Sequence, residues 1–455
     1  MTRLALPLLF ALALPHAARA DEPKARGTDF APLEAVVKKE MGEAQVPGAV
    51  VVVVRGDRVV YAKGFGVVSV EGSDPVTPDH LFRVGSTTKM FVGAALAKLA
   101  EGGKLRLDEP VGKVIDGLPL KLAALTPHQL LTHTAGLADG GNMFGPHDDS
   151  ALGDGIKKWT DDRFFTTPGD IISYSNPGYW LAGYVAERAS GKPFADAVAD
   201  ELFKPLGMKR TTFRPTLAMT YPLAQGHALL LGKSVVVRPA ADNAATWPAG
   251  SMFTSGNDFA RFVIAFLNAG TLDGKQVLSE SLIKTISSPH VLQPGGRGHY
   301  GYGLTVRSLR GVDVVEHGGS RAGYGSHVLM APKEKVGVIV LANLTGVGMP
   351  KTVAKAAELL LPLGPAEKPA AGEKPDSAAL ERLAGVYRNG ATRVELKWAD
   401  GKLTQAGVKE RAVEALGGQR FRVEGEGAFE IVTGKDGKAV YLVRGLRALK
   451  KQEAK

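Results

Sequence analysis

The sequence of 455 residues contains no cysteine, and its histidines form no recognisable metal-binding motif. The absence of cysteine excludes disulfides, thiolate nucleophiles and cysteine-ligated zinc. His128 and His133 are spaced i, i+5, which does not place both rings on one helix face, and the zinc motif HExxH is absent. We therefore predict no metal and no cofactor, and a structural or loop role for these two histidines.

Dense charge clusters and long hydrophobic runs are also missing. The formal net charge is +10, but the lysines and arginines are dispersed and are not interleaved with aromatic residues, so the composition does not favour nucleic-acid binding. No segment reaches the roughly 18 uninterrupted apolar residues of a membrane-spanning helix. We predict a protein with no nucleic-acid partner and no membrane span; the sequence leaves its oligomeric state open.

The first twenty residues carry the features of a secretory leader. Their sequence, MTRLALPLLFALALPHAARA, has a basic start at Arg3, an apolar run over residues 4–14 and the triplet Ala18-Arg19-Ala20. This pattern predicts a signal peptide at residues 1–20, cut before Asp21, and the apolar run is too short for a membrane anchor. No cysteine follows it for lipid attachment. We expect an exported protein, either periplasmic or secreted.

Strand patterns lie at both ends of the region 30–361, and helical patterns dominate between them. The run 50–54 lacks polar alternation, so this strand should be covered on both faces. The simplest architecture that fits this order is α/β (α+β), with one sheet assembled from both ends of the region and flanked by helices. An all-helical subdomain would be inserted between the strands. A cleft would then lie between the sheet and the subdomain. Further strands are predicted at 303–308, 312–316, 325–331 and 336–343, and helices at 32–41, 90–101, 180–189, 194–203, 258–268 and 350–361.

A shift in composition separates the C-terminal part of the chain. Residues 362–377 are rich in proline, glycine, alanine and charge without an apolar period, which predicts a linker. Residues 378–455 alternate short strand-like runs with turn signals, which predicts a second, small all-β domain resembling a barrel. The predicted main domain therefore spans residues 21–361, and the sequence indicates no chemical role for the small domain.

The stretch FRVGSTTKMFVGAAL, residues 82–96, places Ser86 three residues before Lys89 at the start of a helical pattern. At this spacing the two side chains share one helix face. A serine hydroxyl needs a base to act as a nucleophile, and a neutral lysine can be that base where burial lowers its pKa. The helix N-terminus would direct free N–H groups at a developing oxyanion. The alternative is a simple N-cap serine, which is common at helix starts.

The stretch Tyr174-Ser175-Asn176 precedes a second helical pattern. A tyrosine hydroxyl beside a cationic lysine can have its pKa lowered and can transfer protons, and an asparagine amide can hold a substrate carbonyl. The alternative is a helix start with Asn176 as the N-cap and Pro177 at the first helical position. The two interpretations can hold together.

The third stretch, His317-Gly318-Gly319-Ser320, follows the predicted strand 312–316 and precedes another strand. Glycines such as Gly319 would let a substrate backbone lie against a strand edge. The N–H of Ser320 could then face the N–H of Ser86 as a second oxyanion donor. The alternative is a glycine turn between strands.

In this order, STTK, YSN and HGG resemble the pattern Ser-x-x-Lys, Tyr-x-Asn, Lys/His-x-Gly of the serine β-lactamase and penicillin-binding-protein superfamily, and more closely its class C β-lactamase, D,D-peptidase and esterase branch. The resemblance covers about residues 30–361 and implies an antiparallel sheet flanked by helices with an all-helical subdomain. It implies that Ser86 forms an acyl-enzyme and that Lys89 is its base or proton relay. Tyr174 would pass protons to the leaving group and activate the deacylating water.

The resemblance also implies binding roles. Asn176 would position the substrate amide, His317 with Gly319 would face a substrate carboxylate, and the backbone N–H groups of Ser86 and Ser320 would form the oxyanion hole. One position departs from the pattern, because class C β-lactamases carry lysine where this chain has His317, and histidine is largely neutral at pH 7. We therefore expect a peptidase or esterase acting on a small acyl, D-amino-acid peptide or ester substrate, for which cell-wall fragments are one source. The alternatives are a true β-lactamase and a non-turnover protein that binds cell-wall peptides.

Overall fold

The computed structural model describes residues 28–366 and 375–453, so the predicted leader lies outside the described residues. Helices fill the middle of the chain and flank the sheet on both faces. In chain order they are α1 Ala31–Ala44, α2 Thr88–Glu101, α3 Leu120–Ala123, α4 Pro127–Leu131, α5 Ala151–Ile156, α6 Asn176–Ser190, α7 Phe194–Val198, α8 Lys204–Leu206, α9 Pro215–Ala218, α10 Trp247–Gly250, α11 Gly256–Leu267, α12 Glu280–Ser287, α13 Pro350–Leu360 and α14 Ser377–Glu381.

The strands of the main part are β1 Gly48–Arg55, β2 Arg58–Gly66, β3 Leu81–Arg83, β4 His227–Leu230, β5 Lys233–Val236, β6 Phe253–Ser255, β7 Thr271–Leu272, β8 Lys275–Gln276, β9 Val291–Leu292, β10 His299–Tyr300, β11 Thr305–Leu309, β12 Val312–Arg321, β13 Tyr324–Ala331 and β14 Val336–Ala342. Eight of them form one antiparallel sheet in the order β2-β1-β14-β13-β12-β11-β10-β9. Strand β1, which also pairs with β2, thus pairs with β14, the last strand of the main part, and this confirms the sheet assembled from both ends.

The valine-rich strand β1 lies between two hydrophobic cores. Val50 and Val52 pack in the core shared with α2 and α11, whereas Val51 and Val53 pack in the core shared with α1 and α13. All four side chains are fully buried, as the missing polar alternation predicted. Helices therefore cover both faces of the sheet.

The C-terminal part is a closed barrel of eight strands: β15 Gly385–Asn389, β16 Thr392–Ala399, β17 Lys402–Gln405, β18 Arg411–Gly417, β19 Arg420–Val423, β20 Gly427–Thr433, β21 Ala439–Arg444 and β22 Arg447–Lys451. Its interior is filled by apolar side chains, among them Tyr387, Phe421 and Phe429, and the last two rings stack with centroids 5.4 Å apart. The barrel therefore has its own packed core. The predicted fold class, with a second all-β domain, is confirmed.

The barrel docks on the segment that precedes α6. Ile171 packs with Tyr441 and Val443 of β21 in a small apolar cluster. The buried side chain of Asn389 donates to Ser173 Oγ at 3.2 Å and accepts from a backbone N–H of the main part. These contacts place one end of the barrel beside the cleft.

Two local predictions were wrong in their bounds. The strand predicted at 312–316 continues to Arg321, so the HGG stretch lies inside β12 and not in a turn after it; the antiparallel ladder with β13 pairs Gly319 with Ser326 and ends at the turn Ala322-Gly323. The helix predicted at 194–203 leaves α-helical geometry after Val198 and continues as a π-helical segment. No helix within residues 28–366 and 375–453 is long and apolar enough to cross a membrane.

Candidate active site

Ser86 lies in a 3-10 turn over Gly85–Thr87 that leads directly into α2. Gly85 has φ of +53°, and a Cβ atom at this position would lie 2.5 Å from the backbone nitrogen of Ser320. Only glycine fits there, because both the left-handed backbone and the close approach exclude a side chain. The turn thus brings the Ser86 backbone against β12. It also places Ser86 at the N-terminus of α2, where free N–H groups favour negative charge.

Lys89 is fully buried one helical turn after Ser86, and its amine lies beside the Ser86 hydroxyl. Its Nζ lies 3.2 Å from Ser86 Oγ, 2.9 Å from Asn176 Oδ1 and 2.6 Å from the carbonyl oxygen of Ala249. Burial lowers the pKa of Lys89 well below its ordinary value; Asp139 opposes this effect, whereas other cations of the cleft add to it. The amine is therefore held toward its neutral form.

The three contacts of the Lys89 amine fit a neutral base. Asn176 Oδ1 and the Ala249 carbonyl can only accept, so they take the two N–H groups of a neutral amine. The nitrogen lone pair is then left for the third contact, the Ser86 hydroxyl at 3.2 Å. The hydroxyl donates its proton to the lysine, which is the arrangement of a nucleophile and its general base.

Asn176 is held in place by a cap and a carboxylate. The N-cap of α6 is Ser175, whose hydroxyl accepts from the Gly178 N–H at 3.2 Å, and not Asn176. The Asn176 side chain is therefore free to point into the site, where its Nδ2 donates to Asp139 Oδ1 at 3.1 Å while its Oδ1 faces Lys89. The second N–H of this amide is left to donate to a substrate.

Tyr174 packs its ring beside the lysine amine, with Lys89 Nζ 4.7 Å from the ring centroid. On its other side the ring of His133 lies at 4.2 Å, and His133 Nδ1 accepts from the Ser175 N–H, so this histidine has the predicted structural role. Burial raises the pKa of Tyr174, and interactions with Ser86 and Arg447 only partly oppose this rise. The lowered pKa that the sequence suggested is therefore not found, because burial outweighs the neighbouring charges.

His317 lines the cleft, but both of its ring nitrogens are already engaged. Nδ1 lies 2.6 Å from the Gly318 carbonyl oxygen, which can only accept, so Nδ1 carries the proton. Nε2 therefore accepts from the Tyr300 hydroxyl at 3.0 Å. Burial, followed by the charge of Lys89, lowers the pKa of His317 to about 3, so the ring is neutral at physiological pH.

The end of β12 packs closely against the turn that holds Ser86. A Cβ atom at Gly319 would lie 1.9 Å from the Val84 carbonyl oxygen, so only glycine allows the strand to approach the turn that holds Ser86. Ser320 follows in the same strand and lines the cleft. Gly319 thus serves the close contact between two backbone segments within the protein.

Asp139 and Arg447 complete the site, and no motif in the sequence identified them. Asp139 accepts from the backbone N–H of Asn176 at 2.9 Å with one oxygen and from Arg447 Nε at 2.7 Å with the other. Arg447 begins β22 of the barrel, and its guanidinium lies 4.9 Å from the ring centroid of Tyr174. The backbone N–H of Tyr174 also donates to the carbonyl oxygen of Leu446 at 2.7 Å.

These residues surround one cleft of about 870 Å³. Its walls include the catalytic turn, the loop around Asp139, the end of β12 with Arg321, and the β21–β22 turn of the barrel. Tyr300, Tyr302 and Tyr324 are buried and do not line this cleft. Within the described ranges, no group of three or more histidine, aspartate or glutamate side chains could hold a metal ion.

A buried lysine beside a cleft-lining serine at the start of a helix, next to an antiparallel sheet with a helical subdomain, is typical of the class of serine β-lactamases and penicillin-binding proteins. The Beta-lactamase family matches residues 33–363, and the chain belongs to this family. Protein flp of Staphylococcus aureus (strain MW2) is 27% identical over 327 residues, which cover 70% of this chain and 64% of flp. The chain therefore matches less than two thirds of that relative's length.

Two further proteins are similar over more of their own length. Penicillin-binding protein 4 of Amycolatopsis lactamdurans is 27% identical, with 70% of this chain and 90% of that protein covered. The crystal structure of SurE superposes with a TM-score of 0.77 at 24% identity, covering 92% of this chain and 98% of SurE. The coverage of this last match extends beyond the family region into the C-terminal part.

Proposed function

We propose that this protein is a serine hydrolase that forms an acyl-enzyme on Ser86. The observation that carries the proposal is the buried Lys89 amine, which donates to two acceptors and directs its lone pair at the Ser86 hydroxyl 3.2 Å away. In the first step Ser86 Oγ attacks a substrate carbonyl while its proton moves to Lys89 Nζ. The backbone N–H groups of Ser86 and Ser320 stabilise the oxyanion that develops.

Collapse of this intermediate needs a proton for the leaving group. Tyr174 stacks beside Lys89 and stays protonated because burial raises its pKa. It therefore acts as a neutral relay, which passes its proton to the leaving group and takes one from Lys89. In deacylation the same pair removes a proton from water, which attacks the ester carbon and releases Ser86.

For the substrate, we propose a small peptide or ester with a D-configured residue, and we place a peptidase or esterase before a β-lactamase. The neutral His317, engaged with Tyr300 and Gly318, offers no cation where class C β-lactamases carry lysine. A protein of the same fold, SurE, has been crystallised with D-Leu. This likeness motivates the choice of D-configured probes.

The experiment is time-resolved intact mass spectrometry of the full chain after mixing with an activated D-alanyl ester and, separately, with a penicillin. We expect an adduct that forms and clears with the ester, persists with the penicillin and is absent from Ser86→Ala. Rapid clearance of the penicillin adduct would instead identify a β-lactamase. No adduct with either reagent would contradict the hydrolase proposal and favour a binding protein.

A further inference from the structure

The cleft contains a cation, Arg321, that forms no ion pair with any of the residues that the structure describes. Arg321 ends β12, one residue after the oxyanion donor Ser320, and lines the cleft. Its Nε and Nη2 are buried, and neither has a hydrogen-bond partner within residues 28–366 and 375–453. Leaving buried donors of a charged group without acceptors is expensive, so such a group indicates a missing partner.

Asp242, the carboxylate whose charge acts on Arg321, already has other partners. Asp242 accepts from Arg83 and from Trp247 Nε1 with one oxygen, and its other oxygen lies 2.8 Å from His147 Nδ1. Arg83 is itself almost completely buried. Two guanidinium groups therefore share the field of one carboxylate, which leaves an excess positive charge at this end of the cleft.

Arg447, the second arginine that lines the cleft, differs from Arg321 because it has an acidic partner. Arg447 forms an ion pair with Asp139 at 2.7 Å, whereas Arg321 forms none among the described residues. Both arginines lower the pKa of Lys89, so the field of Arg321 reaches the catalytic amine. An anion bound to Arg321 would therefore lie within the reach of the same reaction centre.

We propose that Arg321 recognises a carboxylate of the substrate and thereby selects acidic esters or peptides over neutral ones. This inference rests on the proposed function, because it assigns a specificity residue to the same cleft. A carboxylate would accept from the guanidinium in the planar, two-bond geometry that arginine favours, and it would neutralise the excess charge. His317 cannot take this role, since its ring is neutral and engaged on both sides.

The test compares esters that differ only in a carboxylate. One pair carries it on the acyl side, p-nitrophenyl hemiglutarate against p-nitrophenyl valerate, and the other on the leaving group, 3-acetoxybenzoate against phenyl acetate. For one of the two acidic esters, Arg321→Met should lower kcat/KM by about 10- to 100-fold, the loss typical of a charged hydrogen-bonded contact. The neutral partner should change by less than about threefold, the usual scale for a contact it does not make.

Arg58→Gln, an exposed arginine of β2, is the matched control for the loss of one charge and should change neither ester. The pair that responds shows which side of the scissile bond faces Arg321. Equal losses on the acidic and neutral members of both pairs, or no loss on either, would overturn the assignment.

A binding measurement separates this inference from the proposed function. In the Ser86→Ala chain, glutarate should raise the melting temperature, and the additional change Arg321→Met should abolish that rise. If no ester is hydrolysed but glutarate still stabilises through Arg321, the hydrolase proposal fails and the carboxylate site stands. If esters are hydrolysed without a preference and glutarate has no effect, the inference about Arg321 is wrong.

Discussion

The main part of the chain and the barrel contribute to the cleft in opposite ways. The main part supplies the proposed nucleophile, Ser86, and the proposed base, Lys89, from one helix start. Burial of Lys89 lowers the pKa of its amine. The barrel keeps its own apolar core and reaches the site through Leu446 and Arg447, while Asn389 accepts from the Asp139 N–H. The comparison teaches that a region without any catalytic motif can complete a site by placing one charge and one backbone carbonyl.

The largest effect should come from the main part. Lys89→Met removes the general base but keeps much of the buried volume, so steady-state hydrolysis of the activated ester should fall by roughly 10²- to 10⁴-fold. Lys104→Met, an exposed lysine after α2, is the control for the loss of a charge. An Lys89→Met protein that retained most of its activity would show that the base lies elsewhere.

An effect of intermediate size should distinguish the two regions, because removing one charge from each should shift the pH profile of kcat/KM in opposite directions. Arg447 lowers the pKa of Lys89 and Asp139 raises it. The activity needs the neutral amine, so the acid limb of kcat/KM should move to higher pH in Arg447→Met and to lower pH in Asp139→Asn. Shifts in the same direction, or no shifts, would show that the barrel does not tune the base.

The smallest effect should be on stability at the contact between the regions. Asn389→Ala leaves Ser173 Oγ, the Ala448 carbonyl and the Asp139 N–H without their shared partner. We expect a loss of about 1–3 kcal/mol in the free energy of unfolding, measured by urea denaturation, with a smaller loss of activity. Gln419→Ala, at an exposed position of the barrel, should change neither quantity. Equal stability of the two variants would mean that the barrel docks through its apolar contacts alone.

The sequence predicted what depends on local pattern. The two-sided burial of residues 50–54 follows from a run without polar alternation, and the pair Ser86 and Lys89 follows from helix spacing. The sequence misplaced the cap of α6, because serine and asparagine cap equally well and only the acceptor partners distinguish Ser175 from Asn176. The catalytic roles of Ser86, Lys89 and Tyr174 and the binding role of Asn176 stay proposals.

What the sequence could not give depends on long-range contact. Asp139 and Arg447 lie about 300 positions apart and meet only because the barrel docks beside α6. The hydrogen-bond partner of His317 Nε2 is the Tyr300 hydroxyl, which approaches it across the sheet. Neither pairing leaves a periodic or motif signal, because each residue alone occupies an ordinary loop or strand position.

The bond between the Tyr174 N–H and the Leu446 carbonyl joins the two regions through main-chain atoms only. Side chains on the adjoining turn can therefore be exchanged without removing this attachment. The hydrogen bond holds the backbone of the turn in place, whereas the side chains of the turn can vary. For protein engineering, Leu446 is thus a position at which the substrate range of the cleft can be diversified while the machinery around Ser86 is left untouched.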